Sequence, residues 1–262
     1  MPHHPRPAAF FDLDKTVIAG SSSFALSRAF YDGGLLTRSG ALRGLYAQLG
    51  YLSFGADHDQ TERMKDRLAQ ISRGWDVAHT EAVVAAALEQ HIRPVVYREA
   101  TELIDAHRAA GEDVVIVSAS SEAVVRPIGE LLGADHVIAT RPVVADGRFT
   151  DELDFYAYGP TKATAMRELA REHGYDLAAS HAYSDSVTDL PMLETVGHPV
   201  AVNPDRALRR HALAQGWQVR DFSRPVRLRP RRRYPAHVTL GLGAVAVGAL
   251  GWRLVREARR TA

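Results

Sequence analysis

Apolar and polar positions along the chain change period several times, and each change marks an element. Pro7 to Phe11 is a short apolar run, long enough for a buried strand and too short for a helix, and is expected to be the first strand of a parallel sheet. From Ser21 to about Arg93 the segments SSFALSRAFYDGG, SGALRGLYAQLGYL, TERMKDRLAQISRGW and HTEAVVAAALEQHI carry apolar residues at three- and four-residue spacing, with Gly between segments. This predicts an all-helical insertion. Beyond Pro94, VVYREATELIDAHRAAG reads as an amphipathic helix stopped at Gly111, and DVVIVS (Asp113 to Ser118) as a buried strand.

Strands and helices then alternate. EAVVRPIGELLG is an expected helix, DHVIAT a strand, VVADGRFT a hairpin on an Asp-Gly turn, and TKATAMRELAREHG a helix. HAYSDS follows as a strand, DLPMLETVG as a short helix and PVAVN as a strand. Such alternation predicts an α/β fold, an open parallel sheet with helices on both faces. Ligands in these sheets sit beyond the carboxyl ends of the strands. Asp12, Asp14, Ser118 and the Ser184-Asp185 pair all fall at such ends.

The last stretch breaks the pattern. AHVTLGLGAVAVGALGW (236–252) runs for 17 residues without a charge, with Tyr234 and Trp252 near its ends. As a helix it would span roughly 25 Å against roughly 30 Å of hydrocarbon, and Leu254, Val255 and a snorkelling Arg253 would add length. A membrane-spanning or interfacial helix is the expectation; a buried helix or an incidental Gly/Ala-rich tail is the plain alternative. Ala244 and Gly248 form a small-xxx-small pair compatible with a homodimer.

Composition narrows the classes. With 262 residues and 46% apolar content the chain can bury a sizeable core, which excludes disorder throughout. A net charge of +1 gives no overall bias towards nucleic acid, although seven arginines crowd Arg220 to Arg233. Their position beside an apolar run favours an anionic membrane surface over nucleic acid. With no cysteine there is no disulfide, thiolate nucleophile or zinc-thiolate site. The 12 histidines show no HExxH-like spacing. The N-terminus lacks a long apolar segment ahead of its first charges, so the expected catalytic body is cytoplasmic, anchored by one C-terminal helix.

Asp12 and Asp14 carry the chemistry. Like charges this close oppose joint ionisation unless a cation or a proton intervenes. Mg²⁺, held by carboxylate, backbone carbonyl and water, would meet that need. Asp12 could then offer its free oxygen as a nucleophile while Asp14 exchanges a proton with a leaving or attacking oxygen. Taken singly, each residue has a plainer reading: Ser184, Asp185 and Asp189 as caps of DLPMLETVG, Lys162 as a solvated first-turn residue.

In order along the chain, Asp12-Leu-Asp14-Lys-Thr16, Ser118 after DVVIV, Lys162 after GPT, and Asp185 with Asp189 in YSDSVTDLPML resemble the four motifs of the haloacid dehalogenase superfamily. The nearest branch is subfamily IB, the phosphoserine-phosphatase-like one, and the likeness covers about residues 8 to 204. The resemblance implies a Rossmann-like core with a helical C1-type cap inserted after the first strand, and a phosphoric monoester hydrolase that uses Mg²⁺. It implies that Asp12 attacks phosphorus, forming an aspartyl-phosphate, and ligates the metal. Asp14 would be the acid/base, with its backbone carbonyl on the metal. Ser118 and Lys162 would bind the phosphoryl group, Asp185 would be a further metal ligand, and Asp189 would position metal-bound water or Lys162.

Several positions depart from that pattern. Ser184-Asp185 stands for Gly-Asp, Thr188-Asp189 for Asn-Asp, and Ala119-Ser120-Ser121 for Gly-Gly-Phe. Ser21-Ser22-Ser23 replaces the acidic residue that would meet a substrate ammonium, which argues against L-phosphoserine. Ser21 is a candidate substrate contact or a helix cap, and Arg67, or Lys65, a candidate for a second anionic group of the substrate. The expected organisation is a core of 1–20 and 93–222, a cap of 21–92, an Arg-rich linker of 223–235 and a hydrophobic helix of 236–255. The expected substrate is a small, phosphoserine-like phosphorylated metabolite or a lipid-precursor phosphate at the membrane. A membrane-tethered, non-catalytic binding protein of the same fold is the alternative.

Overall fold

The computed structural model describes residues 6–36, 65–66 and 69–223. The chain divides into two units after Arg227, and the described residues belong to the first. The apolar tail of 236–255 with its Ala244 and Gly248, the Arg-rich segment from Arg224 onward, the expected helix SGALRGLYAQLGYL and Arg67 therefore lie outside the described residues. Among those described, no helix is long and apolar enough to cross a membrane.

A seven-stranded sheet organises the unit. Its strands are β1 (Ala8–Asp12), β2 (Asp113–Ser121), β3 (His136–Ala145), β4 (Arg148–Phe155), β5 (His181–Ser184), β6 (His198–Val202) and β7 (Gln218–Arg220), in spatial order β4-β3-β2-β1-β5-β6-β7. All neighbours are parallel except β3 and β4. Because side chains alternate across a sheet, the central strands feed two cores. Ala9, Phe11, Val114 and Ile116 face one apolar layer, and Ala8, Phe10, Val115 and Val117 the other. Phe11 lies flat on Tyr183 at 4.3 Å between ring centres, locking β1 to β5.

The helices are α1 (Ser22–Asp32), α2 (Val77–Ala87), α3 (Arg98–Ala109), α4 (Glu122–Leu132), α5 (Pro160–His173), the short α6 (Leu190–Leu193) and α7 (Arg206–Gln215). Helix α3 buries Ala100, Ile104 and His107, one stripe at helical spacing, and Gly111 follows in the left-handed conformation that ends such a helix. Asp76 caps α2, accepting from His79 N–H at 2.9 Å. A π turn (Leu88–Ile92) and a 3₁₀ turn (Arg93–Val95) then carry the chain back to the sheet. The root of the helical insertion is clipped there: Ala19 N–H donates to Val95 O at 2.7 Å, and Ile18 bridges Val96.

Two features differ from the sequence reading. The expected strand DHVIAT and the first half of the expected hairpin are one strand, β3. It pairs with β2 at its start and turns to pair with β4 beyond Arg141. Strand β4 reaches Phe155, well past the expected arm; it is an edge strand whose Arg148, Asp151, Glu152 and Asp154 are exposed, so it lacks the apolar run by which a buried strand is read. Helix α7 and strand β7 had no counterpart in the pattern. Only Leu208 and Ala212 of α7 are buried, so four arginine and histidine positions dominate its sequence, RALRRHALAQ.

Candidate active site

Sheet register sets the geometry. Asp12 ends β1 opposite Val117, so Ser118 lies one residue further along β2. A register shift in β2 between Ser118 and Ser121 leaves Ala119 and Ser120 out of the ladder, as bulges beside active sites do. On the other side Phe11 pairs with Tyr183, which puts Ser184 and Asp185 at the same edge. The loop after β5 is held by Asp205, whose side chain accepts from Val187 N–H at 2.9 Å and whose own N–H donates to Asp185 O at 2.8 Å.

Lys162 arrives from below. It sits in the first turn of α5 on the face that buries Ala163, Met166 and Ala170, so its stem runs through the core. Gly159, at φ 56 and ψ −124, makes the turn that starts this helix, a backbone conformation that a Cβ opposes. The ammonium donates to Asp12 Oδ1 at 2.7 Å and to Asp189 Oδ2 at 2.9 Å, with all three side chains buried. Burial alone would lower the Lys162 pKa, but Asp12 and Asp189 outweigh it and hold the group above its ordinary range, charged. Ser184 Oγ also donates to Asp189 Oδ2, at 2.7 Å. Asp189 is thus a support for Lys162, and the N-cap of the 3₁₀ turn Val187–Asp189 is Ser186.

The carboxyls are crowded, with Asp12 and Asp189 buried and Asp14 and Asp185 partly so. Burial, with Asp189 and Asp185 adding to it, raises the Asp12 pKa well above the carboxylate range against the pull of Lys162. Burial also raises Asp14, opposed by hydrogen bonds from Ser22 and Ser120. Asp185 is pushed up to about 7 by burial, with Lys15 opposing and Asp189 adding. Lys15 takes up a left-handed φ of 63°, a conformation uncommon outside glycine. Hard oxygen donors whose ionised forms are destabilised together fit a divalent cation of the Mg²⁺ type. Asp12, Asp185 and the Asp14 backbone carbonyl are groups that could hold one, since the Asp14 carboxyl is engaged elsewhere: Oδ1 by Ser22 N–H at 2.6 Å, Oδ2 by Ser120 Oγ at 3.3 Å.

Ser118 is buried, and its Oγ accepts from Ser120 N–H at 3.2 Å. Ser21 caps α1, its Oγ accepting from Phe24 N–H at 3.4 Å, while it is Ser22 that reaches Asp14. The sequence placed Ser184 at a strand end and marked Ser22 and Ser120 as departures from the motifs without giving them a role in the site, and it did not single out Asp205 or Lys15. The serine-for-glycine departures at 120 and 184 were the available signal, since an added hydroxyl at a strand end needs a partner.

Among the described residues, a group of three possible metal-ligating side chains with ligand atoms within 4.8 Å of one another is His107, Glu112 and His181. His181 begins β5, at the opposite end of that strand from Asp185. Both His107 ring nitrogens are engaged, by Glu112 at 2.6 Å and by the Tyr183 hydroxyl at 2.7 Å, so the group braces α3 against the sheet.

With this geometry in place, the sequence match becomes decisive: residues 9–194 match the haloacid dehalogenase-like hydrolase family. The chain belongs to that family. Among haloacid dehalogenase-like relatives, a Streptomyces azureus protein called "Inhibition of morphological differentiation protein" is 55% identical over 97% of this chain and 95% of its own length. Phosphoserine phosphatase SerB1 of Mycobacterium tuberculosis is 34% identical, over 94% of this chain and 80% of its own. A crystal structure of a Bordetella pertussis protein of unknown function superposes with a TM-score of 0.72 at 29% identity, covering 83% of this chain and 99% of that one. A substrate-bound phosphoserine phosphatase shares the fold, with a TM-score of 0.58 at 19% identity, covering 86% of this chain and 96% of that one. Within the haloacid dehalogenase-like family the chain is a phosphoric monoester hydrolase.

Proposed function

We propose that the protein is a Mg²⁺-dependent phosphomonoesterase working through an aspartyl-phosphate on Asp12. The observation that carries this reading is the buried Lys162 bridge, which tethers one oxygen of Asp12 and keeps the lysine charged where a phosphoryl group would add negative charge. In the first displacement the other Asp12 oxygen bonds to phosphorus as the ester P–O bond breaks, and Asp14 gives its proton to the departing oxygen. In the second, Asp14 takes a proton from water as the water oxygen attacks phosphorus. The bond to Asp12 then breaks and inorganic phosphate leaves. Ser118 donates to the phosphoryl oxygens and Lys162 offsets their charge throughout. Asp12, Asp185 and the Asp14 carbonyl would hold Mg²⁺, which when bound would neutralise charge and align the phosphoryl group.

The two helices α1 and α2, described on either side of the root clipped at Ala19 and Val95, are in keeping with the helical cap that the family likeness implies. The substrate class is a small phosphorylated metabolite, in keeping with the phosphoserine phosphatase among the relatives. The run Ser21-Ser22-Ser23 speaks against a substrate ammonium. The uncharged run 236–252 behind its arginines supports a second possibility, a lipid-precursor phosphate presented at the membrane to a cytoplasmic catalytic body. A non-catalytic role is disfavoured by the full carboxylate and lysine set.

The test is hydrolysis of p-nitrophenyl phosphate by the purified full chain. Mg²⁺-dependent turnover that EDTA removes and Asp12→Asn abolishes is expected. Full activity in D12N would remove the mechanism.

A further inference from the structure

Both oxygens of Asp14 are held, and the holders are serines. Ser22 N–H, in the first turn of α1, donates to Oδ1 at 2.6 Å, and Ser120 Oγ, within the register shift in β2, donates to Oδ2 at 3.3 Å. Ser22 Oγ and Ser120 Oγ lie 3.2 Å apart. Ser22 is fully buried, and the Ser120 N–H is itself tied to Ser118 Oγ. Asp14 is therefore gripped from two separate elements, the start of the helical insertion and the end of a central strand.

Resting on the phosphomonoesterase reading, we propose that Ser120 and Ser22 are positioning residues that orient Asp14 for proton transfer to the leaving oxygen. Each hydroxyl has a single proton. With Asp14 ionised, Ser120 gives its proton to Oδ2 and Ser22 gives its own to Ser120. With Asp14 protonated on Oδ2, Ser120 still donates to a remaining lone pair of that oxygen, so the acidic proton is left free to face the leaving oxygen. Oδ1 accepts from Ser22 N–H in both states, which directs the exchangeable proton to Oδ2. The same grip thus serves the carboxylic acid of the first displacement and the carboxylate of the second. The 3.3 Å contact is long for O–H···O, as such contacts are before substrate closes the site.

Leaving-group dependence tests this. p-Nitrophenolate departs without a proton, whereas an alkoxide needs one, so misplacing the acid penalises alkyl esters selectively. The readout is kcat/KM, which reports the first displacement and is unaffected by the second. For wild type, Ser120→Ala, Ser22→Ala and Asp14→Asn, kcat/KM is measured on glycerol 2-phosphate and on p-nitrophenyl phosphate, with melting curves to show folding. General acid catalysis contributes about 100-fold or more, so loss of the Ser120 hydroxyl is expected to lower the alkyl-ester value about tenfold and the aryl-ester value less than about threefold; Ser22→Ala keeps the N–H that holds Oδ1 and removes only the hydroxyl facing Ser120, so its selective loss should be smaller. Asp14→Asn should show the same selectivity more strongly, and Ser120→Thr should restore the alkyl-ester rate. Equal losses on both esters in a folded S120A protein, or no loss on either, would overturn the proposal while wild-type turnover leaves the phosphomonoesterase reading standing. No turnover of either ester by wild type would remove both.

Discussion

Lys162 is the residue on which the site turns. Two buried carboxylates share one ammonium, so removing it leaves both facing each other without compensation, the situation in which breaking a buried ion pair is most destabilising. Lys162→Met is expected to lower stability by about 3 kcal/mol at neutral pH as well as to remove activity, checked by denaturant titration beside turnover. Asp12→Asn should behave differently. Burial already opposes ionisation of Asp12, and Lys162 keeps Asp189, so this variant should lose turnover while melting no lower than wild type in EDTA. At this scale Asp12, Asp14, Ser118, Lys162, Asp185 and Asp189 were legible because their order and spacing along the chain carry a distinctive pattern. Ser22 and Ser120 were not, because a serine's role depends on which distant hydroxyl it meets, and these two lie 98 residues apart.

Elements explain why those residues meet. PAAFF and DVVIVS read as buried strands because they are unbroken apolar runs, and the same strands end at the edge where Asp12 and Ser118 stand; which side chains face which layer came only with the sheet. The start of α5 is the more exacting feature. Its first turn follows Gly159, whose backbone lies where only glycine is unstrained, and Lys162 comes three residues later. Gly159→Ala should cost about 1–3 kcal/mol of stability and reduce kcat disproportionately, by moving the Lys162 ammonium off its two carboxylates. Melting temperatures and kcat for the variant check both effects. Helix α7 escaped the sequence reading because two buried residues on a ten-residue helix make too thin a stripe to stand out among its arginines. The long β3 was split because a strand that changes partners changes its buried face midway, which breaks the alternation on which strand assignment depends.

On the scale of the whole molecule, a described catalytic unit is joined to a tail whose sequence suggests a membrane. The seven arginines from Arg220 to Arg233 would each contribute about 1 kcal/mol of attraction to an anionic surface, independently of whether the apolar run inserts. Deleting residues 225–262 is therefore expected to shift the protein from the membrane to the soluble fraction. It should leave p-nitrophenyl phosphate hydrolysis within about twofold and reduce activity on vesicle-borne lysophosphatidate, in keeping with the surface attraction lost. Unchanged fractionation would count against the anchor, and unchanged activity on the lipid against the lipid substrate class.

The central claim is a covalent bond between phosphorus and Asp12. Asp14→Asn should still be phosphorylated by p-nitrophenyl phosphate, which needs no proton at its leaving oxygen, but should lose the base that drives the second displacement, so the intermediate accumulates. Acid quenching followed by peptide mass spectrometry is expected to find one phosphoryl group on the peptide that contains Asp12. It should be absent when Asp12→Asn is combined with Asp14→Asn. Turnover by wild type with no phosphoryl group on that peptide in the D14N protein, or with the adduct on another residue, would contradict the account.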